Sequence, residues 1–220
     1  MPGRALMSRE YLLLLRFAIL NIAALGLLAL AWQQGWVEFV LSNDVTRLTL
    51  IILAVFVIGW GLCIHKIWHC SRQLNAVTNP DIDDERVHWY QQLATQSAPH
   101  ARGAVADCLR ARLYARISVV RTISNQLVIL GLIGTVIGFI IALGGVNAQA
   151  ISQVDAIGPM VSTLLQGMSV ALFTTLVGAI FHVWLNMCYQ ILATGTVNLT
   201  NAIIERAEAP EFFATLRVDL

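Results

Sequence analysis

Threonine hydroxyls are the polar groups that lie deepest in two apolar stretches of this sequence. Thr135 stands near the middle of the third such stretch, and Thr175 stands near the middle of the fourth. A single threonine in a helix commonly donates its hydrogen to the carbonyl one turn back, and its role is then only structural. Two hydroxyls at matched depth indicate instead a shared polar track for a proton or a cation. Thr174 and His182 extend this set of candidate ion-path residues.

Charged side chains are missing from the same part of the chain. Between Thr122 and Ile204 the only Asp, Glu, Lys or Arg is Asp155. His182 is the only titratable candidate left, and a lone histidine in such a place is more often a hydrogen-bonded interface residue. An ion path through a membrane normally needs an ionisable or strongly coordinating group. We therefore expect the carboxylate of any such path to come from another chain.

Small residues recur around the threonines at spacings of three and four. They are Gly131, Gly134 and Gly138 in the third stretch, and Gly167, Ala171 and Gly178 in the fourth. Small residues at this period let helix backbones approach closely, which is how membrane-spanning helices associate in lipid. The pattern alone predicts close helix packing, and by itself it does not indicate a channel.

Motifs of soluble enzymes are absent from the sequence. It contains no P-loop, no GxSxG or HExxH motif and no paired carboxylates, so we expect no catalytic residues and no enzyme activity. The four cysteines form no CxxC pair and show no metal-ligand spacing, so we expect reduced packing residues and no bound metal or cofactor. These cysteines are Cys63, Cys70, Cys108 and Cys188. A net charge of +1 and the lack of a basic stripe predict no nucleic-acid partner.

The elements that must position these residues are membrane-spanning helices. Hydrophobic residues make up 57% of the 220 residues and charged residues only 12%, and the mean hydropathy is +0.70. Four apolar segments run from about Tyr11 to Trp32, Leu48 to Trp68, Ile123 to Val146 and Met160 to Leu185. Each reaches the ~20 residues that one crossing of a bilayer requires. The sequence predicts an all-α integral membrane protein with four transmembrane helices in two hairpins.

The distribution of Lys and Arg predicts the orientation of these helices. Thirteen of the 14 basic residues lie in the N-terminal stretch, the long middle connector or the C-terminal tail, and only Arg47 lies in a short connector. Because basic residues stay on the cytoplasmic side, both termini and the middle connector are predicted to be cytoplasmic. We expect the membrane to be a bacterial inner membrane. The short connectors, Gln33 to Arg47 and Asn147 to Pro159, are then external.

Helical spacing continues beyond the third and fourth apolar segments. Apolar side chains recur at Leu109, Leu113, Ile117 and Val120, so the third helix is predicted to run unbroken from about Ala101 to Gly144. The fourth is predicted to continue past Tyr189 to about Glu208. Both helices would extend into the cytoplasm. Gly195 is a possible weak point, Pro210 a stop, and Thr78 to Glu85 a turn with a helix start.

These elements divide the chain into four predicted domains. Residues 1–68 form the first transmembrane hairpin, and residues 69–121 form a cytoplasmic helical connector. Residues 122–190 form a second hairpin, which carries the candidate ion path. Residues 191–220 form a cytoplasmic C-terminal helix and tail.

Two runs in the second hairpin resemble the MotA/TolQ/ExbB proton channel family. LGLIGTVIGF, from Leu130 to Phe139, is similar to that family's LGLLGTVxGxxxxF signature. QGMSVALFTTLVG, from Gln166 to Gly178, is similar to its GIxxALxxTxxG signature. The two runs occur in the family's order, separated by a short connector, and the four-span topology resembles that of the MotA branch. Two linked motifs in this order are a far more specific sign of the family than glycines spaced along a helix.

The resemblance implies a ring-forming subunit of an ion-driven membrane channel or motor. Members of the family generally form a homopentamer around two copies of a single-span partner of the MotB/TolR/ExbD type. The partner helix carries a membrane aspartate, which Thr135 and Thr175 would face by analogy. Passage of H⁺ or Na⁺ past this aspartate would turn ring and partner relative to each other. The transported ion is the only small species implied.

The sequence also departs from the family, and other functions stay open. TolQ- and ExbB-like members carry a glutamate where this chain has Val170, and the middle connector is shorter than in flagellar stators. A non-conducting membrane scaffold that assembles other proteins is the main alternative. A small-solute transporter fits less well, because no broken span or mid-membrane charge is present.

Overall fold

Four long helices make up the part of the chain that the computed structural model describes, which is residues 3–38, 47–78, 102–144 and 154–207. The helices are α1 (Gly3–Gln33), α2 (Leu48–Thr78), α3 (Arg102–Gly144) and α4 (Val154–Ala207). Their stretches long and apolar enough to cross a membrane are Leu13–Gln33, Leu48–Gln73, Gly103–Gly144 and Ile157–Glu205. No strand occurs in these ranges. The predicted all-α fold with four membrane-spanning helices is confirmed.

Local backbone geometry explains where α1 ends and α2 begins. Gly35 has a φ of 75°, a left-handed conformation that glycine adopts without strain. The amides of Gln34 and Gly35 donate to the carbonyls of Leu30 and Trp32, which closes the last turn of α1. Arg47 has a φ of 52° immediately before α2, and its carbonyl accepts a hydrogen bond from the amide of Leu50. The chain therefore turns sharply at both positions.

The predicted continuity of the two long helices is confirmed. α3 runs unbroken from Arg102 to Gly144, and α4 continues to Ala207. Gly195 does not interrupt α4. A Cβ at this position would lie 3.0–3.1 Å from the methyl groups of Leu13, so the glycine allows close packing there. The predicted stop at Pro210, and the turn predicted to follow Thr78, lie outside the described residues.

The start of α4 differs from the prediction. The external connector was expected to end at Pro159, whereas α4 begins at Val154 and includes this proline. Pro159 is the sixth residue of α4, so its missing amide hydrogen removes one bond of the helix ladder, that to the carbonyl four residues back, and the helix continues through it. The carbonyl of Pro159 accepts a hydrogen bond from the hydroxyl of Thr163 at 3.1 Å. Proline alone was therefore a poor marker of the helix boundary.

The chain divides into two compact units, of which the first draws its described residues from Met1–Ile19, Leu62–Val119 and Cys188–Leu220. Its core contains one face of α3, whose buried side chains recur every fourth residue as the sequence predicted. These residues are Val105, Leu109, Leu113 and Ile117. Leu192, Leu199 and Ile203 supply the buried face of α4. Residues spaced by four or seven positions lie on the same face of a helix, so one face of each helix is covered.

The second unit draws its described residues from Leu20–Gly61 and Val120–Met187. An aromatic cluster fills part of its core: the ring of Phe56 stacks on that of Phe181 with centroids 4.4 Å apart and lies 5.0 Å from that of Trp184. The side-chain oxygen of buried Asn21 accepts hydrogen bonds from the indole nitrogens of Trp60 at 2.8 Å and Trp184 at 3.2 Å. One amide thus joins α1 to α2 and α4.

All four cysteines are free thiols in this structure. Cys63, Cys70 and Cys188 are buried, as expected of packing residues. Cys108 is exposed on α3, so its expected packing role is wrong. It occupies a helix face that no apolar neighbour in the described part of the chain covers.

Candidate functional site

Within the second unit, α3 and α4 pack backbone against backbone along a seam of small residues. We define the seam by Gly131, Gly134, Gly138, Gly167, Ala171 and Gly178. A Cβ built on Gly138 would lie 2.6 Å from the amide nitrogen of Ala171 and from the carbonyl oxygen of Gly167. A Cβ on Gly178 would lie 2.8 Å from the carbonyl oxygen of Leu127. These contacts are with rigid backbone, so only glycine permits the observed approach.

The register of the seam brings the candidate threonines to one level. Gly131 faces Gly178 and Thr175, whereas Gly138 faces Ala171 and Gly167, so the residue number rises along α3 as it falls along α4. The two helices are therefore antiparallel at the seam. In this register Thr135 lies at the level of Thr174 and Thr175. Both helices thus present a hydroxyl at one level.

Thr174 points into the seam and is only 1% exposed. A Cβ on Gly134 would collide with its side chain, so the two residues are in direct contact. Its hydroxyl donates to the carbonyl of Val170 at 2.9 Å, with the carbonyl of Ala171 at 3.2 Å as a second acceptor. Val170, which stands where TolQ- and ExbB-like members carry a glutamate, is itself 1% exposed. An apolar side chain suits this enclosed position.

Thr135 and Thr175 are more accessible. Thr175 is exposed, and Thr135 is half-buried. The hydroxyl of Thr135 donates to the carbonyl of Leu132 at 2.5 Å. That of Thr175 donates to the carbonyl of Ala171 at 3.0 Å and approaches that of Gly131 at 3.3 Å. Each hydroxyl therefore gives its hydrogen to the backbone and keeps its lone pairs for an acceptor role.

His182 forms a reciprocal pair with Ser124, which sequence reasoning did not single out. Nδ1 of His182 lies 2.8 Å from the carbonyl oxygen of Ser124, and the Ser124 hydroxyl donates to the carbonyl of His182 at 3.2 Å. Because a carbonyl oxygen only accepts, the 2.8 Å contact assigns a hydrogen to Nδ1, and the Ser124 Oγ lies 3.1 Å from the same nitrogen. Ser124 lies two helical turns before Gly131, and that spacing could have revealed it.

The structure brings only some of the candidate residues together. Thr135, Thr174 and Thr175 share one level of the seam, whereas His182 lies seven residues beyond Thr175, which is ~10 Å along a helix axis. No charged residue occurs in the described parts of either helix from Thr122 to Gly144 or from Ile157 to Ile204. Within the described ranges, no group of three or more His, Cys, Asp or Glu side chains could hold a metal ion.

Comparison with known proteins identifies a family for this part of the chain. The family model of the MotA/TolQ/ExbB proton channel family matches residues 84–205, which is more than half of the 220 residues. The matched region includes α3 from its first residue and nearly all of α4, and with them every residue of the seam. Neither the curated proteins nor the solved structures give a match to the chain.

Proposed function

The chain belongs to the MotA/TolQ/ExbB proton channel family, and we propose that it is a ring-forming subunit that converts ion flow into motion of a partner protein. The family implies a multi-pass membrane protein with a proton-channel-type function in an energy-transducing complex. The proposal adds a homopentamer in the bacterial inner membrane, with both termini in the cytoplasm. It also adds two copies of a single-span MotB/TolR/ExbD-like partner.

The observation that carries the proposal is a pair of helix segments without charged residues, Thr122–Gly144 and Ile157–Ile204, that bring hydroxyls to one level. Thr135 and Thr175 offer accessible oxygen atoms, while neither helix provides a carboxylate at this depth. A proton path in a membrane needs an ionisable group. A partner helix with an aspartate beside these two threonines would supply it, and the ion would be the only cofactor-like species.

The hydrogen bonds of the two threonines favour a particular state of that aspartate. Because their hydrogens are given to the carbonyls of Leu132 and Ala171, the hydroxyls present lone pairs to a neighbour. They can accept a hydrogen bond from a protonated carboxylic acid or coordinate Na⁺, but they cannot donate to a carboxylate without breaking a bond to the backbone. This geometry supports H⁺ or Na⁺ as the ion and a neutralised aspartate as the bound state.

The energy of ion passage is sufficient for a mechanical step. One elementary charge that crosses ~100 mV releases ~2.3 kcal/mol. Binding of an ion neutralises the partner's aspartate beside the threonines, and its release restores the charge. The charged aspartate would be unfavourable next to an apolar helix face, so the partner and the ring would move relative to each other. In this scheme the chain itself need not titrate.

Ion flux in proteoliposomes tests the role of the threonines. The protein would be reconstituted with the single-span protein that co-purifies with it, and flux measured for Thr135→Val and Thr175→Val. The ion flux of each variant should be at least tenfold lower than that of the unchanged protein, while the complex stays assembled. Thr194→Val is the matched control, because the exposed Thr194 has the same bond to a carbonyl one turn back, and Thr175→Ser should retain flux. Full flux in both valine variants would refute the polar track.

Native mass spectrometry separates this proposal from the scaffold alternative. Five copies of the chain with two of a small single-span protein would support the motor. A monomer or dimer without a companion would favour a non-conducting scaffold, which should also show no dependence on the membrane gradient.

A further inference from the structure

A cavity of about 80 Å³ lies within the first unit, between α2, α3 and α4. Its polar wall comes from α2, where Lys66, His69 and Gln73 follow one another along one face, and from Arg116 of α3. The side-chain nitrogen of Gln73 lies 2.8 Å from Nδ1 of His69, which fixes these two side chains against each other. The volume is several times the ~10–15 Å³ that one water molecule requires.

Two cations of this wall have no counter-charge among the residues that the structure describes. Among the described residues, neither Lys66 nor Arg116 has an ion pair or a hydrogen bond. The acidic residues of the first unit's described part whose side chains are placed are Asp107, which pairs with Arg110 at 3.2 Å, and the exposed Glu205. Lys66 is half-buried, so its ammonium group is held near the cavity. Two cations that line one cavity, neither of them paired with a described carboxylate, favour an anion at that wall.

The remaining wall of the cavity is mostly apolar, and its one hydroxyl, that of Thr196, donates to the carbonyl of Leu192. Leu113 and Ile117 of α3 and Leu192 of α4 line it, and all three are buried. An aqueous anion alone would gain little from such a surface. A ligand with a charged group and an attached hydrocarbon portion would fit both the cations and the apolar wall.

The position of the cavity along α2 indicates the source of that ligand. Lys66 to Gln73 lie at the end of the apolar stretch Leu48–Gln73, where phospholipid headgroups begin. Trp68, in the same segment, is 70% exposed, as is typical of aromatic residues at a membrane surface. The charge distribution predicts this end of α2 to be cytoplasmic. On that side of a membrane, basic pockets between helices bind the headgroups of anionic lipids.

We propose that this cavity binds the phosphate of an anionic phospholipid headgroup, with Lys66 and Arg116 as its cationic ligands and the start of an acyl chain along the apolar wall. The site is distinct from the seam of α3 and α4. It does not depend on ion conduction, because lipid binding is measurable without a gradient or a partner.

Lipid titration by native mass spectrometry tests the proposal on the full chain in detergent micelles. Dioleoylphosphatidylglycerol should bind at least ten times more tightly than dioleoylphosphatidylcholine. The double variant Lys66→Gln/Arg116→Gln should weaken binding of the anionic lipid about thirtyfold. That corresponds to roughly 2 kcal/mol, or ~1 kcal/mol for each cation at a membrane surface.

The control variant is Arg72→Gln/Arg121→Gln, which removes one exposed cation from α2 and one from α3 but none from the cavity wall. It should change the affinity less than threefold. If both double variants lose the same affinity for the anionic lipid, the lipid responds to general surface charge, and the proposed site is wrong. Equal binding of the two lipids would overturn it as well. If ~100 mM inorganic phosphate displaces the lipid completely, the ligand is free phosphate, and the lipid assignment is wrong.

Discussion

Alanine at Gly138 should loosen the contact between α3 and α4. Its Cβ would lie 2.6 Å from the backbone of Gly167 and Ala171, whereas ordinary van der Waals contact begins at 3.4 Å. The backbones would therefore have to move apart by about 0.8 Å, and overpacking of this kind typically costs ~1–3 kcal/mol. The higher helix propensity of alanine offsets at most ~1 kcal/mol. We expect a net loss of about 1–2 kcal/mol in the free energy of unfolding.

Gly61→Ala is the matched control for this change. A Cβ at Gly61, in the interior of α2, meets no atom within 4 Å, so the substitution should be neutral or slightly stabilising. Gly167→Ala should cost about as much as Gly138→Ala. The double variant should cost less than the sum of both, because one separation of the backbones accommodates the two methyl groups.

Unfolding in mixed micelles of a mild detergent and dodecyl sulfate gives the measurement, with tryptophan emission as the signal. Of the six tryptophans, Trp60 and Trp184 pack against each other in the second unit, which also contains the seam, so their emission should respond to its unfolding. If Gly138→Ala unfolds at the same dodecyl sulfate fraction as Gly61→Ala, the close backbone contact is wrong. Additive costs in the double variant would contradict a shared contact between the two glycines.

Two further predictions concern buried polar groups. Asn21→Leu leaves the indole N–H groups of Trp60 and Trp184 without their acceptor. It should lower the free energy of unfolding by ~1–2 kcal/mol in the same titration. An unchanged free energy would show that neither bond contributes. Ser124→Ala should cost ~0.5–1 kcal/mol but leave the hydrogen on Nδ1 of His182, because that nitrogen lies 2.8 Å from a backbone carbonyl oxygen. The ¹⁵N shifts of the imidazole check this, and a hydrogen on Nε2 alone would refute the assigned tautomer.

The gross fold was accessible from sequence because a membrane imposes few solutions. A hydrocarbon core requires long apolar segments with all backbone bonds satisfied internally, so apolar runs translate directly into helices. The burial of Leu109 and Leu113 followed from their helical spacing, because apolar residues four positions apart lie on one face of a helix. The boundary at Pro159 was wrong because the loss of one backbone hydrogen bond at this proline does not end α4.

Contacts between distant segments could not be predicted in this way. Asn21 and Trp184 are separated by 163 positions, and nothing in either local sequence indicates that they meet. Ser124 and His182 are separated by 58 positions. Each residue alone is an ordinary polar side chain in an apolar helix. Only the register between helices, which depends on many small packing contacts, brings the partners together.

The adjacent residues Thr174 and Thr175 show what that register adds to the functional argument. Successive residues on a helix point about 100° apart, so one of the two enters the seam and the other faces outward. Thr174 is 1% exposed and contacts Gly134, and a partner chain could reach its hydroxyl only if α3 and α4 separated. Thr175 is exposed and keeps its lone pairs available. The ion path that we propose therefore rests on Thr135 and Thr175, while Thr174 holds the seam that fixes their level.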